Sequence, residues 1–195
     1  ITLNSVARLA KNNDRVLIYF SGHGQTITSV ESNDMKIGYL IPVNGDLKDP
    51  VLNSIAMDEI LLLCQFECKH MLFLMDACYS GLMAKAKGLE IFEDDDYHIH
   101  SVANISARQI ITAGSAEQQV WEDGEIQHGV FTLNVLNALN NWEADNYYED
   151  GYITATELGE YLKIAVFDES GGRQTPQVER IKRSKRGEFI FTRNP

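Results

Sequence analysis

A cysteine and a histidine each lie just beyond an apolar run of this sequence. Residues 71–75 are all apolar and lead to Cys78, while residues 15–20 are mostly apolar and lead to His23. Apolar runs of this length, bounded by turn-forming residues, are typical of buried strands. Because open α/β folds bind their ligands at the carboxyl ends of strands, we expect both side chains at that edge of one sheet.

A thiol and an imidazole at one sheet edge suit nucleophilic attack on a carbonyl. A cysteine attacks as the thiolate, so it needs a partner that takes its proton or holds the thiolate as an ion pair. His23 fits this task best, because it alone among the histidines stands between glycines after a predicted strand. We expect the backbone amides of Gly24 and Cys78 to form an oxyanion hole. Taken singly, such a cysteine is more often a core residue and such a histidine part of a turn.

The composition indicates one globular domain. The 195 residues include 44% hydrophobic and 23% charged residues, and no apolar run approaches the roughly 18 residues that a membrane span requires. The net charge of −11 argues against a nucleic-acid partner, because phosphate binding needs a basic surface. We therefore expect neither a membrane nor a nucleic acid as a partner.

The cysteines indicate a reducing compartment. Three of them, Cys64, Cys68 and Cys78, are too few for a disulfide scaffold, and we expect a cytoplasmic protein. Cys64, Cys68 and His70 could also suggest a metal site, but without an evident fourth ligand core packing is the favoured interpretation. The sequence starts at Ile1 without an initiator methionine or a signal-like segment, so we expect a piece of a longer or processed chain.

Helical and extended patterns alternate along the sequence. Residues 25–36 are interpreted as a polar loop, and residues 82–106, which show no core period, as a long mobile surface loop. The order predicts one α/β domain over residues 1–195, with a largely parallel central sheet flanked by helices on both faces. The predicted helices cover 2–12, a segment capped by Ser54 or Asp58, a segment after Gly129, and 154–166; the predicted strands cover 15–20, 38–43, 71–75, 109–113 and 187–192.

Four short motifs resemble those of a known family. They are SGHG at 21–24, DACYSG at 76–81, GVFT at 129–132 and QTPQ at 174–177. The sequence resembles the caspase-like cysteine peptidases, and among them the prokaryotic caspase homologues and metacaspases, over nearly its whole length. The resemblance implies a caspase-haemoglobinase fold and a cysteine endopeptidase with a Cys-His dyad at the matching positions, Cys78 and His23. The alternative is a catalytically silent caspase-like module that binds or scaffolds a partner.

The resemblance also implies a specificity for protein or peptide substrates with Arg or Lys at the cleavage site. In metacaspase-like members, the acid two residues before the cysteine lines the primary specificity pocket, beside the serine two residues before the histidine. The matching positions are Asp76 and Ser21, and a carboxylate there can hold a guanidinium in bidentate fashion. Without the resemblance, Asp76 could equally cap a helix or turn. Glu122 is a second pocket candidate. Such members usually carry an amino-terminal strand-helix-strand portion with a further pocket acid, which we expect to be absent here.

Two further predictions concern calcium and processing. Residues 146–157 resemble an EF-hand loop with Asp150 and Glu157 as candidate calcium ligands, although two ligand positions match poorly. The alternative is an Asp-Gly turn followed by a capping box. Metacaspase relatives are often calcium-dependent, so calcium activation is a prediction, with the acidic loop 93–96 as another locus, although the chemistry itself requires no cofactor. Lys85 and Lys87 are candidate self-cleavage sites.

Overall fold

The computed structural model describes residues 3–29, 35–46, 48–77, 87–88, 99–114, 129–145, 149–181 and 184–193. No helix within these ranges is long and apolar enough to cross a lipid bilayer. The helices are α1 (Leu3–Leu9), α2 (Pro50–Asn53), α3 (Met57–Leu63), α4 (Ile99–Ala103), α5 (Val130–Asn140) and α6 (Ala155–Glu169). The strands are β1 (Arg15–Ser21), β2 (His23–Ser29), β3 (Met35–Ile41), β4 (Ile55–Ala56), β5 (His70–Asp76), β6 (Lys87–Gly88), β7 (Ala107–Thr112), β8 (Tyr152–Thr154), β9 (Gln177–Arg180) and β10 (Ile190–Thr192).

Five of the strands in the described ranges form the central sheet, in the order β1-β5-β7-β9-β6. β1, β5 and β7 run parallel, whereas β9 pairs antiparallel with both β7 and β6. The predicted α/β fold with a largely parallel sheet is therefore confirmed. The sequence pattern does not reveal β9, because Val178 is the only apolar residue among its four.

Helices cover both faces of the central sheet, because the side chains of β5 alternate between two cores. Met71, Phe73 and Met75 pack in one core with residues of α3. Leu72 and Leu74 pack in the other core with residues of α5 and α6. Successive side chains of a strand point to opposite faces, so a strand covered on both sides is apolar throughout. The unbroken apolar run before Asp76 follows from this double burial.

The chain after His23 forms a second sheet. The expectation of a polar loop over residues 25–36 is wrong at both ends, because β2 continues to Ser29 and pairs antiparallel with β3, which begins at Met35. β3 also pairs with β4, which completes a three-stranded sheet. The β-branched residues at positions 26–28 favour a strand although two of them are polar. The chain thus leaves the central sheet just before His23.

Three more expectations about local structure are corrected. Residues 82–106 contain β6 and α4, so they are not one long loop. Helix α3 begins after Ala56 without a side-chain cap, rather than at Ser54 or Asp58, because the preceding residues form the short strand β4. The last strand is short, and it pairs with β8 in a separate two-stranded sheet.

Arg108 stabilises the turn that leads into β5 through hydrogen bonds. Its side chain is 6% exposed and donates hydrogen bonds to the carbonyl oxygens of Cys64, Phe66 and Cys68 at 3.2, 3.0 and 2.8 Å. Three bonds from one rigid guanidinium to one short turn fix the conformation of that turn. Arg108 therefore helps to place the start of the strand that ends at Asp76.

The cysteines of this turn pack in the core. Cys64 and Cys68 are free and buried, and burial raises the pKa of Cys64 to about 12 and also raises the pKa of Cys68. The buried His70 places its Nε2 3.0 Å from the carbonyl oxygen of Ile105. No group of three or more His, Cys, Asp or Glu residues in the described ranges is placed to hold a metal ion. The core-packing interpretation of these residues is the one that fits.

Candidate active site

The carboxyl ends of β1 and β5 lie side by side and carry both predicted specificity residues. The parallel register pairs Ser21 with Asp76. Beyond the paired strands, the amide of Gly22 donates a hydrogen bond to the Asp76 carbonyl oxygen at 3.1 Å. Residues paired in adjacent strands point their side chains to the same face of a sheet. Ser21 and Asp76 therefore share the face that α5 covers.

The Asp76 side chain is buried at this edge, with 3% of its surface exposed. Its Oδ2 accepts a hydrogen bond from the hydroxyl of Thr132, in the first turn of α5. Gly129, at the N-cap of α5, lies so close that a Cβ at this position would be 3.0 Å from Oδ2. The carboxylate thus lies beside the amino end of α5, where the helix dipole favours a negative charge.

His23 begins β2 and is exposed to solvent. Pairing of His23 with Ile41 and of Gly24 with Leu40 holds both residues in the second sheet. A side chain at Gly22 would bring its Cβ to 3.0 Å from the ring of Phe20. A larger residue at this position would therefore require the Phe20 ring to shift by a few tenths of an ångström.

Three of the predicted site residues, Cys78, Glu122 and Lys85, lie outside the described residues, so their roles stay predictions. The last described residue before Cys78 is Ala77, which is fully buried after the end of β5. Lys87 belongs to β6, where its Cα is paired with that of Arg180.

The described part of the site brings Ser21, His23 and Asp76 to one edge of the central sheet. Thr132 and Gly129, which border the Asp76 carboxylate, have no role predicted from the sequence. The signal for them is the GVFT motif, whose glycine caps α5 and whose threonine lies at the third position of that helix. Both contacts depend on where α5 begins relative to β5.

The loop before α6 is closed by hydrogen bonds between its own carboxylates and amides. The two carboxylate oxygens of Asp145 accept from the amides of Asp150 and Gly151 at 3.2 and 3.0 Å. Asp150 Oδ1 accepts from the amide of Tyr152 at 2.9 Å. Gly151 has a φ of 80°, a left-handed conformation that glycine adopts most readily. This is the Asp-Gly turn that the sequence offers as the alternative to a calcium loop.

Glu157 completes a capping box with Thr154. Its Oε2 accepts from the Thr154 amide at 2.7 Å, while the Thr154 hydroxyl accepts from the Glu157 amide at 3.1 Å. Burial raises the pKa of Glu157. The hydrogen bonds with Thr154 lower this pKa, whereas the negative charges of Asp150 and Asp145 raise it further. The candidate calcium ligands Asp150 and Glu157 thus accept hydrogen bonds from backbone amides of their own segment.

Comparisons with known proteins concern the family and the fold. A family model described as a caspase domain matches residues 1–186. Solved structures also match, among them the crystal structure of protein GSU0716 from Geobacter sulfurreducens, with a TM-score of 0.58, 16% sequence identity, and coverage of 94% of this chain and 72% of that chain. At this identity the likeness concerns the fold alone. No curated protein matches the sequence.

Proposed function

Because this chain belongs to the caspase-domain family, a family of cysteine peptidases, we propose that it is an endopeptidase that cleaves peptide bonds after arginine or lysine. Family membership supports the coarser function, a cysteine peptidase that acts on proteins or peptides. One observation carries the finer proposal: a buried carboxylate, Asp76, lies beside Ser21 at the carboxyl edge of the sheet. In the sequence, Cys78 follows this carboxylate by two positions and His23 follows Ser21 by two.

In the proposed reaction, Cys78 attacks the carbonyl carbon of the scissile peptide bond as a thiolate. His23 receives the thiol proton and later gives it to the leaving amine, which leaves an acyl-enzyme. The backbone amides of Gly24 and Cys78 are the proposed donors to the oxyanion of the tetrahedral intermediate. Water, deprotonated by His23, then hydrolyses the thioester and releases the acid product.

The specificity follows from the charge of Asp76. A carboxylate has about four acceptor sites in all, so it can accept from a cationic side chain as well as from a hydroxyl. Two opposite unit charges about 4 Å apart attract by about 4 kcal/mol at the effective dielectric constant of a protein surface. Ser21 adds a neutral hydroxyl beside the carboxylate, and Glu122 is a second proposed pocket residue. A neutral substrate side chain lacks this charge attraction, and an acidic one is repelled by the carboxylate.

A set of fluorogenic peptides tests this specificity. The peptides share one sequence and differ only in the residue before the scissile bond, which is arginine, lysine, citrulline or aspartate. Citrulline has nearly the shape of arginine without its charge, so kcat/KM for citrulline should be lower by a factor of about 100 or more. Preference for aspartate, or equal rates for arginine and citrulline, would contradict the proposal. The Cys78→Ala variant controls for other peptidases in the preparation.

Calcium activation is a separate prediction. Loss of activity in a chelator and recovery with added calcium would support it. Since the Asp150 carboxylate accepts a hydrogen bond from the amide of Tyr152 in its own loop, we expect an Asp150→Asn variant to keep any such calcium dependence. Loss of the dependence in this variant would instead place a calcium ion at this loop.

Self-cleavage after Lys85 or Lys87 is also a prediction. Peptidases bind their substrates in extended, unpaired form, so cleavage after Lys87 first requires β6 to separate from β9. Mass spectrometry of active preparations should find two fragments that the Cys78→Ala variant lacks. A fully active preparation that consists of intact chains would count against self-cleavage.

A further inference from the structure

Two hydroxyl groups connect Asp76 to the protein surface through consecutive hydrogen bonds. The hydroxyl of Tyr19 lies 2.6 Å from the hydroxyl of Thr132, which donates to Oδ2 of Asp76. A threonine hydroxyl has one proton. Since that proton is engaged by the carboxylate, Tyr19 is the donor in the outer bond. These two consecutive hydrogen bonds, called the relay below, therefore have one direction, from Tyr19 through Thr132 to Asp76.

The register of the sheet explains why these three side chains meet. Tyr19 and Ser21 are alternate residues of β1, so both point to the face that carries Asp76. Tyr19 is paired with Leu74, two residues before Asp76 on β5. Its side chain is 47% exposed, whereas Asp76 is 3% exposed. The relay thus runs from the solvent to a buried charge.

The surroundings of the carboxylate restrict where it can lie. A buried carboxylate is stable only when donors hold it, and Thr132 provides such a donor from a helix rather than from a loop. Gly129 borders Oδ2 closely enough that a Cβ there would lie 3.0 Å away. A donor and a steric boundary on one helical turn therefore fix the carboxylate in place. This is the property that recognition of a planar guanidinium requires.

We propose that Thr132 is a positioning residue for specificity, whose hydroxyl holds the Asp76 carboxylate in the orientation that receives the basic side chain of the substrate. Tyr19 supports it by ordering the Thr132 hydroxyl. This inference deepens the proposed function and rests on it. Thr132 contacts the carboxylate rather than the reacting atoms, so its hydroxyl matters for binding of the basic side chain and not for the steps of Cys78 and His23.

Four variants test the inference. Thr132→Val removes the hydroxyl at nearly constant shape, Thr132→Ser keeps it, and Tyr19→Phe removes the outer donor. Thr156→Val is the matched control. Thr156 lies in the first turn of α6, and its hydroxyl donates at 3.0 Å to the buried carboxylate of Glu188. This variant removes the same kind of bond away from Asp76. Steady-state kinetics with the arginine and citrulline peptides are combined with urea unfolding of each variant.

Thr132→Val should raise KM for the arginine peptide about tenfold and leave kcat within about a factor of two, as expected for the loss of one hydrogen bond to a charged group. The citrulline peptide should show no such change. Thr132→Ser should restore most of the affinity, and Tyr19→Phe should raise KM by a smaller factor of about two to three. Thr156→Val should lower stability without changing KM.

An unchanged KM in folded Thr132→Val overturns the inference, and so does a failure of Thr132→Ser to restore it. Equal increases in KM in Thr132→Val and Thr156→Val also overturn it, because they would indicate general loosening of the fold. If Thr132→Val does not fold, the decision passes to Tyr19→Phe, whose raised KM supports the relay and whose unchanged KM overturns it. If the unaltered protein cleaves the arginine and citrulline peptides equally, the proposed specificity itself fails, and the inference with it. That result appears before any variant is compared.

Discussion

Lowering the pH should destabilise the protein through His70, the histidine that begins β5. Its side chain is 0% exposed. Burial is the main reason that the pKa of His70 falls from 6.5 to about 4. The hydrogen bond with Ile105 opposes this shift, and the positive charges of Arg15, Lys69 and Arg108 add to it. The imidazole is therefore neutral in the folded protein throughout the physiological range.

The direction of the pH effect follows from proton binding in the two states. Between a pKa of 6.5 in the unfolded chain and one of about 4 in the folded protein, the unfolded state binds more protons. The free energy of unfolding therefore falls as the pH falls through this window, and the stabilisation is complete above it. These two pKa values give His70 a loss of about 2 kcal/mol between pH 8 and about pH 5.

Urea unfolding at these two pH values, followed by tryptophan fluorescence, measures the effect. The control is His70→Gln, whose amide can donate to the Ile105 carbonyl oxygen but does not titrate. Burial also raises the pKa values of Glu157 and Glu179, but both proteins contain these residues, so the difference between the proteins isolates His70. The difference should change by about 2 kcal/mol in favour of the variant as the pH falls. A constant difference would refute the reasoning.

Two further substitutions test the packing that supports the site. Gly159→Ala would place a Cβ 2.0 Å from Cγ2 of Val178, where α6 packs on β9. Although alanine has the better helix propensity, we expect urea denaturation to show that the free energy of unfolding falls by about 1–3 kcal/mol. Adding Val178→Ala should recover part of this loss. A stability equal to that of the unaltered protein would show that the helix can shift at no cost. Arg108→Met leaves the carbonyl oxygens of the turn over residues 64–68 without their donor, so it should cost more than about 3 kcal/mol and speed hydrogen exchange in the first residues of β5. Unchanged exchange there would contradict the role of Arg108 in placing this strand.

The most buried central strand can be predicted from the sequence because a strand covered on both faces consists mostly of apolar residues. β5 is covered on both faces, so residues 71–75 read as an apolar run that ends at Asp76, whereas three of the six residues of β7 are polar although all six are buried. β2 and β9 cannot be found in this way. Their stability comes from backbone pairing, β2 with the next strand β3 and β9 with the distant strand β7, and they carry few apolar side chains that would reveal it.

The residues of the site likewise differ in whether they can be predicted from the local sequence pattern. Asp76 ends an apolar strand and His23 comes two residues after another, so their position near the sheet edge can be predicted from the local pattern. Tyr19 and Thr132 belong to different elements and meet only through the register of β1 and the start of α5. Arg108 likewise stands in a buried strand, where its role depends on a turn much earlier in the chain. The GVFT motif draws attention to Thr132, but no local pattern indicates which side chains it contacts.

The central claim is that Cys78 is a nucleophile activated by His23 and directed to basic substrates by Asp76. Labelling with a peptidyl chloromethyl ketone that ends in arginine, followed by mass spectrometry, tests all three parts. Cys64 and Cys68 should not compete, because both thiols are buried and burial raises their pKa values.

The reagent should form one adduct, at Cys78, and the adduct should be absent in Cys78→Ala and in His23→Ala. A reagent of the same sequence that ends in aspartate should label far more slowly. Absence of labelling in the folded protein, or equal labelling of His23→Ala, would contradict the claim and favour a catalytically silent caspase-like module.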